Sequence, residues 1–212
     1  MMERVPDCVL IREEELWVLL AGLGYESVSG LFCRQTREPQ VVQVLRELTD
    51  QRQIWSDGER FHVSQPLERM LRGIGDARRI LTIRTREEEQ GLCCYCGSAL
   101  ILCRELDWQP SMLRLRAAEA EEIVRMLAEK TASVYAHEEE AAPSGEQLWT
   151  EHAAQVLELR CYVDGALVRR LEGVWGVLQP PELLLSWPDG TRTALPWTRE
   201  NLSAQVRQLL DG

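Results

Sequence analysis

Apolar residues recur at helical spacing in several segments of the chain. Leucines three or four residues apart predict a helix over Arg12–Leu23, and Gly24 follows as its C-terminal cap. Pro39 suits the first turn of a second helix. We expect the buried side of this helix to consist of Val41, Val42, Val44, Leu45 and Leu48. Further helices are predicted over Pro66–Ile74, within AAEAEEIVRMLAEK, near Glu146–Ala153 and over Arg199–Leu210.

Other segments alternate in the manner of β-strands. IWSDGERFHV places Asp57-Gly58 between two short strand-like pieces, which predicts a β-hairpin. Strands are also predicted in ILTIRT, LCCYCG, ALILCREL, SMLRLR, VLELRCYV, ALVRRLEG, ELLLSW and TRTALPW. Two helices followed by a hairpin give the N-terminal segment a winged-helix-like order. The whole pattern predicts an α+β protein with a mainly antiparallel sheet and flanking helices.

One stretch of the sequence resembles another. CYCGSALILCRELDW (Cys94–Trp108) aligns without gaps on CYVDGALVRRLEGVW (Cys161–Trp175), with six identical positions. A Gln-Pro pair and a strand follow each copy, and each copy ends in an amphipathic helix. The order helix, strand, hairpin, strand, helix therefore occurs twice, which predicts an internal duplication about a pseudo-twofold axis.

Composition shifts suggest four segments. A helical, winged-helix-like segment at 1–75 precedes a first α+β repeat at 76–131. The polar stretch at 132–145, which contains HEEEAAPSG, is typical of a surface linker, and a second α+β repeat follows at 146–212. We expect these segments to form one compact domain.

The charge of the chain argues against nucleic acid as a partner. The net charge is −10, from 34 acidic and 24 basic residues, and an acidic surface repels phosphate. Within the second predicted helix, Arg46 and Arg52 are balanced by Glu47 and Asp50, so there is no basic stripe for DNA. No run of 18 apolar residues and no signal peptide is found, which predicts a cytoplasmic protein without membrane insertion.

The chain has seven cysteines, an odd number, and most lie in apolar runs. Free thiols in a reducing compartment fit this pattern better than a disulfide framework. CCYC (Cys93–Cys96) and Cys103 contain enough thiols for a zinc site. On a strand, however, Cys94 and Cys96 point to the face opposite Cys93. The Cys-Tyr pair also recurs at Cys161-Tyr162 without the other thiols, so core packing is the favoured interpretation.

No catalytic signature is present. The histidines His62, His137 and His152 lie in no recognisable Cys–His motif, and the chain has neither a glycine-rich phosphate loop nor a GxSxG elbow. We therefore expect a protein that is not an enzyme and needs no cofactor or metal.

Tryptophans supply the first candidate contact residues. Trp17 and the repeated pair Trp108 and Trp175 are expected in the core, whereas Trp55 and Trp187 lie beside hairpin turns, where an interface could use them. Acidic candidates follow the strand ILTIRT. They are Glu87, Glu88 and Glu89, which either contact a basic partner or are solvated.

The N-terminal pattern resembles the EspG family, the cytosolic chaperones of mycobacterial type VII (ESX) secretion. The similarity lies in ELWVLLAGLG (Glu15–Gly24) and in the helix, hairpin, helix and strand that span Val44–Thr85. It implies a pseudo-twofold α+β architecture and recognition of a folded, helical secretion substrate that is kept soluble until export. It assigns no binding residue in this chain.

These observations favour a cytosolic chaperone or adaptor for a helical protein client of a type VII-like secretion system. Two alternatives stay open. One is a winged-helix, transcription-associated regulator, and the other is a cysteine- or zinc-dependent enzyme.

Overall fold

The chain is an α+β protein with a large antiparallel sheet. The computed structural model describes residues 8–25, 28, 38–85, 91–106, 108–132, 154–176 and 179–211, and five helices lie in that part of the chain. The elements are, in order, β1 (Val9–Arg12), α1 (Glu13–Gly22), α2 (Glu38–Asp50), β2 (Ile54–Ser56), β3 (Phe61–Val63), α3 (Gln65–Gly75), β4 (Arg79–Thr85), β5 (Leu92–Cys96), β6 (Leu100–Leu106), β7 (Gln109–Ala118), α4 (Ala120–Lys130), β8 (Ala154–Val163), β9 (Ala166–Gly176), β10 (Gln179–Ser186), β11 (Arg192–Pro196) and α5 (Arg199–Asp211).

Most of the predicted elements are confirmed. All five helices were expected from periodicity, and the hairpin at Asp57-Gly58 is formed by β2 and β3. The eight later strands also lie where alternation predicted them. Of the predicted linker, only Ala132 is described, and it lies beyond the C-terminal end of helix α4. The helix predicted near Glu146–Ala153 lies outside the described residues.

The fold divides into two compact units. The first contains Met1–Ile80 and Leu92–Ala118, and the second contains Leu81–Gly91 and Glu119–Gly212. The division falls within strand β4: Arg79 and Ile80 belong to the first unit, and the rest of the strand belongs to the second. The segment boundaries that composition indicates, after residues 75, 131 and 145, stay a prediction.

In the first unit, helices cover one face of an antiparallel sheet with the strand order β1-β7-β6-β5. Helix α3 buries residues at spacings of three and four, which is the pattern of a single apolar stripe. They are Leu67, Met70, Leu71 and Ile74. This stripe and the leucines of α1 form one core with Tyr95, Ile101 and Leu115 from the sheet. Local periodicity thus determines which side of each element is buried.

The second unit contains β4, β8, β9, β10 and β11 in that order. Leu157, Leu159 and Cys161 are buried on one face of β8. The Cys161 thiol donates a hydrogen bond to the carbonyl of Leu209 in α5 at 3.9 Å. This face therefore packs on α5. Helices α4 and α5 are also joined at the surface.

The link between these two helices is a bidentate ion pair. Arg207 Nε and Nη2 each donate to one carboxylate oxygen of Glu121 at 2.9 Å. The pair lowers the pKa of Glu121 and raises that of Arg207. Both groups are solvent-exposed, so the contact orients the helices more than it stabilises them.

The opposite face of β8 and β9 carries a charged quartet. Register places Glu158 opposite Glu172 and Arg160 opposite Arg170, so each directly opposed pair repels. Three ion pairs compensate. Across the strands, Glu158 Oε1 lies 2.7 Å from Arg170 Nη2 on the diagonal. Along each strand, Glu158 lies 2.8 Å from Arg160 Nε and Arg170 lies 2.9 Å from Glu172. Glu158 is only 7% exposed. Because Glu158 is the most buried member of the quartet, its charge needs the two arginine partners most.

Replacing Gly173 by alanine should destabilise the second unit. A Cβ atom at Gly173 would overlap the indole of Trp197, which is itself fully buried. Overpacking of this kind costs about 1–3 kcal/mol. Urea unfolding followed by circular dichroism should show this loss for Gly173→Ala. Gly22→Ala is the control, because nothing lies within 4 Å of its added methyl group. Equal stability of Gly173→Ala and wild type would contradict the packing described here.

Acid should remove the contribution of Glu158 to stability. Burial raises the pKa of this carboxyl, but the hydrogen bonds and charges of Arg160 and Arg170 outweigh burial, and the net shift is downward from 4.5. The stabilisation is therefore complete above the unfolded value and is lost as pH falls through the folded one. Glu158→Gln should be less stable than wild type near pH 7, and the gap should narrow towards about pH 3. For Glu68→Gln, which removes an exposed pair with Arg72, we expect little difference at either pH.

Candidate protein-interaction site

An apolar groove lies in the first unit between helix α1, helix α2 and the β2–β3 hairpin. Its volume is about 470 Å³, within the range of protein ligand pockets. The side chains that line it are almost entirely apolar. They include Trp17 and Val18 from α1, Val41 and Leu45 from α2, and Phe61 and Val63 from β3. We call this feature the α1–α2 groove.

The groove continues across α2 into a second hollow. Leu45 and Phe61 line both, and the second hollow adds Val42, Arg46 and Asp50, with a volume of about 490 Å³. Phe61 is 57% exposed and Val42 is 47% exposed. Exposed apolar side chains beside an apolar groove are typical of sites where another protein binds.

Helix α2 supplies this surface because it has more apolar residues than its core face needs. Val44 and Leu48 are buried against the core, as predicted. Val42 was expected on the same side, and that prediction is wrong. It points to solvent, since it is two positions from Val44 and lies about 200° from it around the helix. Val42 lines the second hollow, together with Leu45 and Phe61.

A buried acid fixes the relative position of β1, α1 and α2. Glu15 in α1 is 4% exposed. It accepts hydrogen bonds from the backbone N–H of Arg12 at 2.7 Å and from Arg12 Nη2 at 2.9 Å. The same guanidinium pairs with Glu14 and with Glu47 of α2. The hydrogen bond to Glu15, opposed by burial and supported by Glu47, raises the pKa of Arg12.

The outer face of the hairpin carries a stacked aromatic pair. Trp55 lies opposite His62, with ring centroids 5.5 Å apart, and Asp57 is 2.7 Å from His62 Nε2. Asp57 also accepts the backbone N–H groups of Glu59 and Arg60. The contact with His62, followed by these backbone bonds, lowers the pKa of Asp57. Asp57 therefore stays ionised and orders the turn.

The candidate residues from sequence lie in different places. Trp55 is 50% exposed but faces away from the groove, because Ile54 and Phe61 occupy the inner side of the hairpin. Trp187 is half-buried in the second unit, where Arg169 stacks on its ring at 5.5 Å. Glu87, Glu88 and Glu89 lie outside the described residues.

The prediction that certain tryptophans lie in the core is confirmed for one of them and wrong for another. Trp17 is buried, as predicted, whereas Trp108 is 73% exposed at the turn between β6 and β7. The prediction for Trp108 is therefore wrong: the residue lies where the chain reverses, outside the layer that the helices cover. Strand β9 includes Trp175, but its side chain lies outside what is described. Sequence reasoning also missed the groove residues Val18 and Phe61, because their position depends on contacts between segments that are distant in sequence.

In the part of the chain that the structure describes, none of the cysteines forms a disulfide. Cys94, Cys103 and Cys161 are buried, as core packing predicts, and Cys8, Cys93 and Cys96 are half-buried. Among the described residues, no cluster of three or more histidine, cysteine or acidic side chains is arranged to hold a metal ion. His62 is the histidine that the structure describes; His137 and His152 lie outside.

Comparison of the chain with protein-family models gives no match, and comparison with curated proteins gives none either. In the part of the chain that the structure describes, no helix has both the length and the apolar character needed to cross a membrane.

Removing Arg12 should destabilise the first unit. Arg12→Met keeps the side-chain length but leaves Glu15 buried without its cation, which should lower the free energy of unfolding by about 2 kcal/mol. Arg72→Met is the matched control, because its partner Glu68 is a solvent-exposed neighbour one helical turn away. Chemical denaturation should detect a loss for Arg12→Met and no significant change for Arg72→Met. Similar losses in both variants would show that Glu15 does not need Arg12.

Proposed function

We propose that this chain is a cytoplasmic chaperone or adaptor that binds a helical client protein in the α1–α2 groove. The observation that carries the proposal is the groove itself, which has apolar walls on two helices and a hairpin. An amphipathic helix recognises such a groove through apolar residues at spacings of three and four. The resemblance to the EspG family gives the client its proposed context, a type VII-like secretion system.

The dimensions and the charge of the site support a protein client. The two hollows meet at Leu45 and Phe61, so apolar surface continues along α2 instead of ending in one closed pocket. Phe61 and Val42 stand at the rim, where a bound helix would cover them. The acidic chain would hold a client soluble until release, because a high net charge opposes self-association.

The proposal includes an internal duplication. The gap-free alignment of Cys94 on Cys161 pairs the end of β5 with the end of β8 and β6 with part of β9, and the two Gln-Pro pairs that begin β7 and β10 match after an insertion in the second copy. Helix α4 follows the first set and α5 follows the second, with β11 as an insertion. Both cysteines are buried. Agreement of strand with strand over the aligned region is what a duplicated unit requires.

The second candidate is a winged-helix, transcription-associated regulator. The observation that favours it is the order of α1, α2 and the β2–β3 hairpin, in which α2 takes the place of a recognition helix. The exposed side of α2 combines Val42 with Arg46 and Asp50. A helix that reads DNA needs several cations there. We therefore assign the winged-helix-like segment to protein contact, and we propose no enzymatic activity.

Introducing a charge at the rim of the groove should weaken binding of the client. Tagged wild-type protein purified from its native cytosol should retain one small helical protein in stoichiometric amount, identified by mass spectrometry. With that client purified, Phe61→Asp and Val42→Asp should each weaken binding at least tenfold, since a carboxylate at the rim would be desolvated against apolar surface. Leu167→Asp, on β9 and 41% exposed, is the control and should bind like wild type.

Two outcomes would contradict the proposal. One is recovery of the wild-type chain without a stoichiometric partner. The other is a client that binds Phe61→Asp and Leu167→Asp equally well. Duplex DNA that binds at physiological salt, and loses affinity in Arg46→Ala, would instead favour the regulator.

A further inference from the structure

Strand β5 places two thiols side by side. Cys94 and Cys96 are two positions apart and share one face, as strand alternation predicts. Their Sγ atoms are 4.0 Å apart, and the Cys96 thiol also lies 3.7 Å from the carbonyl oxygen of Cys94. Cys94 is fully buried and Cys96 is half-buried. An ion could therefore reach the pair from the side of Cys96.

The face of the sheet that carries these thiols is basic. Register aligns Cys94 with Leu102 and Arg116, and Leu92 with Arg104 and Arg114. The residues that β5, β6 and β7 place on this face through these paired positions include three arginines and no carboxylate. A thiolate, or an anionic metal–thiolate group, costs less free energy near guanidinium groups than in an uncharged environment.

A second cysteine pair lies on the opposite face of the same two strands. Cys93 is directly opposite Cys103, and both pack into the apolar core under the helices. Burial, with the charges of Cys93, Glu13 and Glu105, raises the pKa of the Cys103 thiol. The hydrogen bond with Cys96, followed by burial, likewise raises the pKa of the Cys94 thiol, so both pairs are protonated when no metal ion is bound. The pair on the core face provides a control of the same chemical type.

We propose that Cys94 and Cys96 form a two-coordinate site for a soft monovalent metal ion, copper(I). Thiolates select soft ions, and a pair of them satisfies copper(I), whereas a structural zinc ion takes four ligands. Metal–thiolate bonds are about 2.3 Å long, so two in a line span about 4.6 Å, slightly more than the separation of the two sulfurs. A small rotation of the half-buried Cys96 side chain supplies the difference.

Binding is balanced by proton release. One copper(I) ion and two thiols give a bis-thiolate complex of charge −1 and two protons, with no change of oxidation state. Arg104, Arg114 and Arg116 lie on the same face of the sheet as this complex. The apparent affinity should consequently fall as the pH is lowered, because protons compete with the metal for both sulfurs.

The test is competition for copper(I) under anaerobic conditions. The reduced full-length chain is titrated into the copper(I) complex of bathocuproine disulfonate, and the loss of colour measures transfer. Wild type and Cys93→Ser should each take one equivalent with similar affinity. Cys96→Ser should bind at least tenfold more weakly. Circular dichroism of each variant checks that it is folded, and Cys96→Ala serves as a second replacement if the serine variant is not.

X-ray absorption of the loaded wild type should show two sulfur neighbours around copper. Three results would disprove the site. Wild type could remove no copper from the chelator, or the folded Cys96 variant could keep wild-type affinity for copper(I). The third is a loss of copper(I) affinity in Cys93→Ser as large as that in Cys96→Ser. Client binding in the α1–α2 groove is measured separately, on residues remote in sequence from this pair, so failure of one proposal leaves the other standing.

Discussion

The fold of the first unit depends on how one buried carboxylate is neutralised. Glu15 lies inside the unit, and a buried charge without a partner costs several kcal/mol. Arg12 meets that requirement from the last position of β1, with both its backbone N–H and its guanidinium. Because the same guanidinium also contacts Glu47, the junction between strand and helix fixes where α2 lies. The ion pair with Glu47 therefore links the junction of β1 and α1 to α2, which forms one wall of the α1–α2 groove.

Sequence patterns predicted the elements well because the signals are local. The four apolar positions of α3 recur within one helix, and the alternation in β5 correctly placed Cys94 and Cys96 on one face. The groove could not be predicted in the same way. It needs the relative position of α1 and α2, which depends on contacts between residues distant in sequence, such as Arg12 and Glu47, 35 positions apart. The burial predicted for Trp108 was wrong for a similar reason. Recurrence of a tryptophan in both copies does not determine whether a helix covers its side chain.

Arginine supplies nearly all the positive charge of this chain, and the ion pairs use its geometry. Lys130 is the one lysine in the sequence. The guanidinium of Arg207 binds both oxygens of Glu121, and that of Arg170 bridges Glu158 and Glu172. A planar group with several fixed donors can do this, whereas an ammonium group acts as a point charge. Directional ion pairs thus order two helices and one sheet face in the second unit.

Strand β11 ends the strand order of the second unit, with β10 as its neighbour there. A sheet edge offers unpaired N–H and C=O groups to any passing strand, which is a common start of aggregation. Here the edge is five residues long, begins with the exposed cation Arg192, and ends with Pro196, which has no N–H to donate. These three features discourage intermolecular strand pairing. The protein should accordingly tolerate high concentration without forming β-linked fibres through this edge.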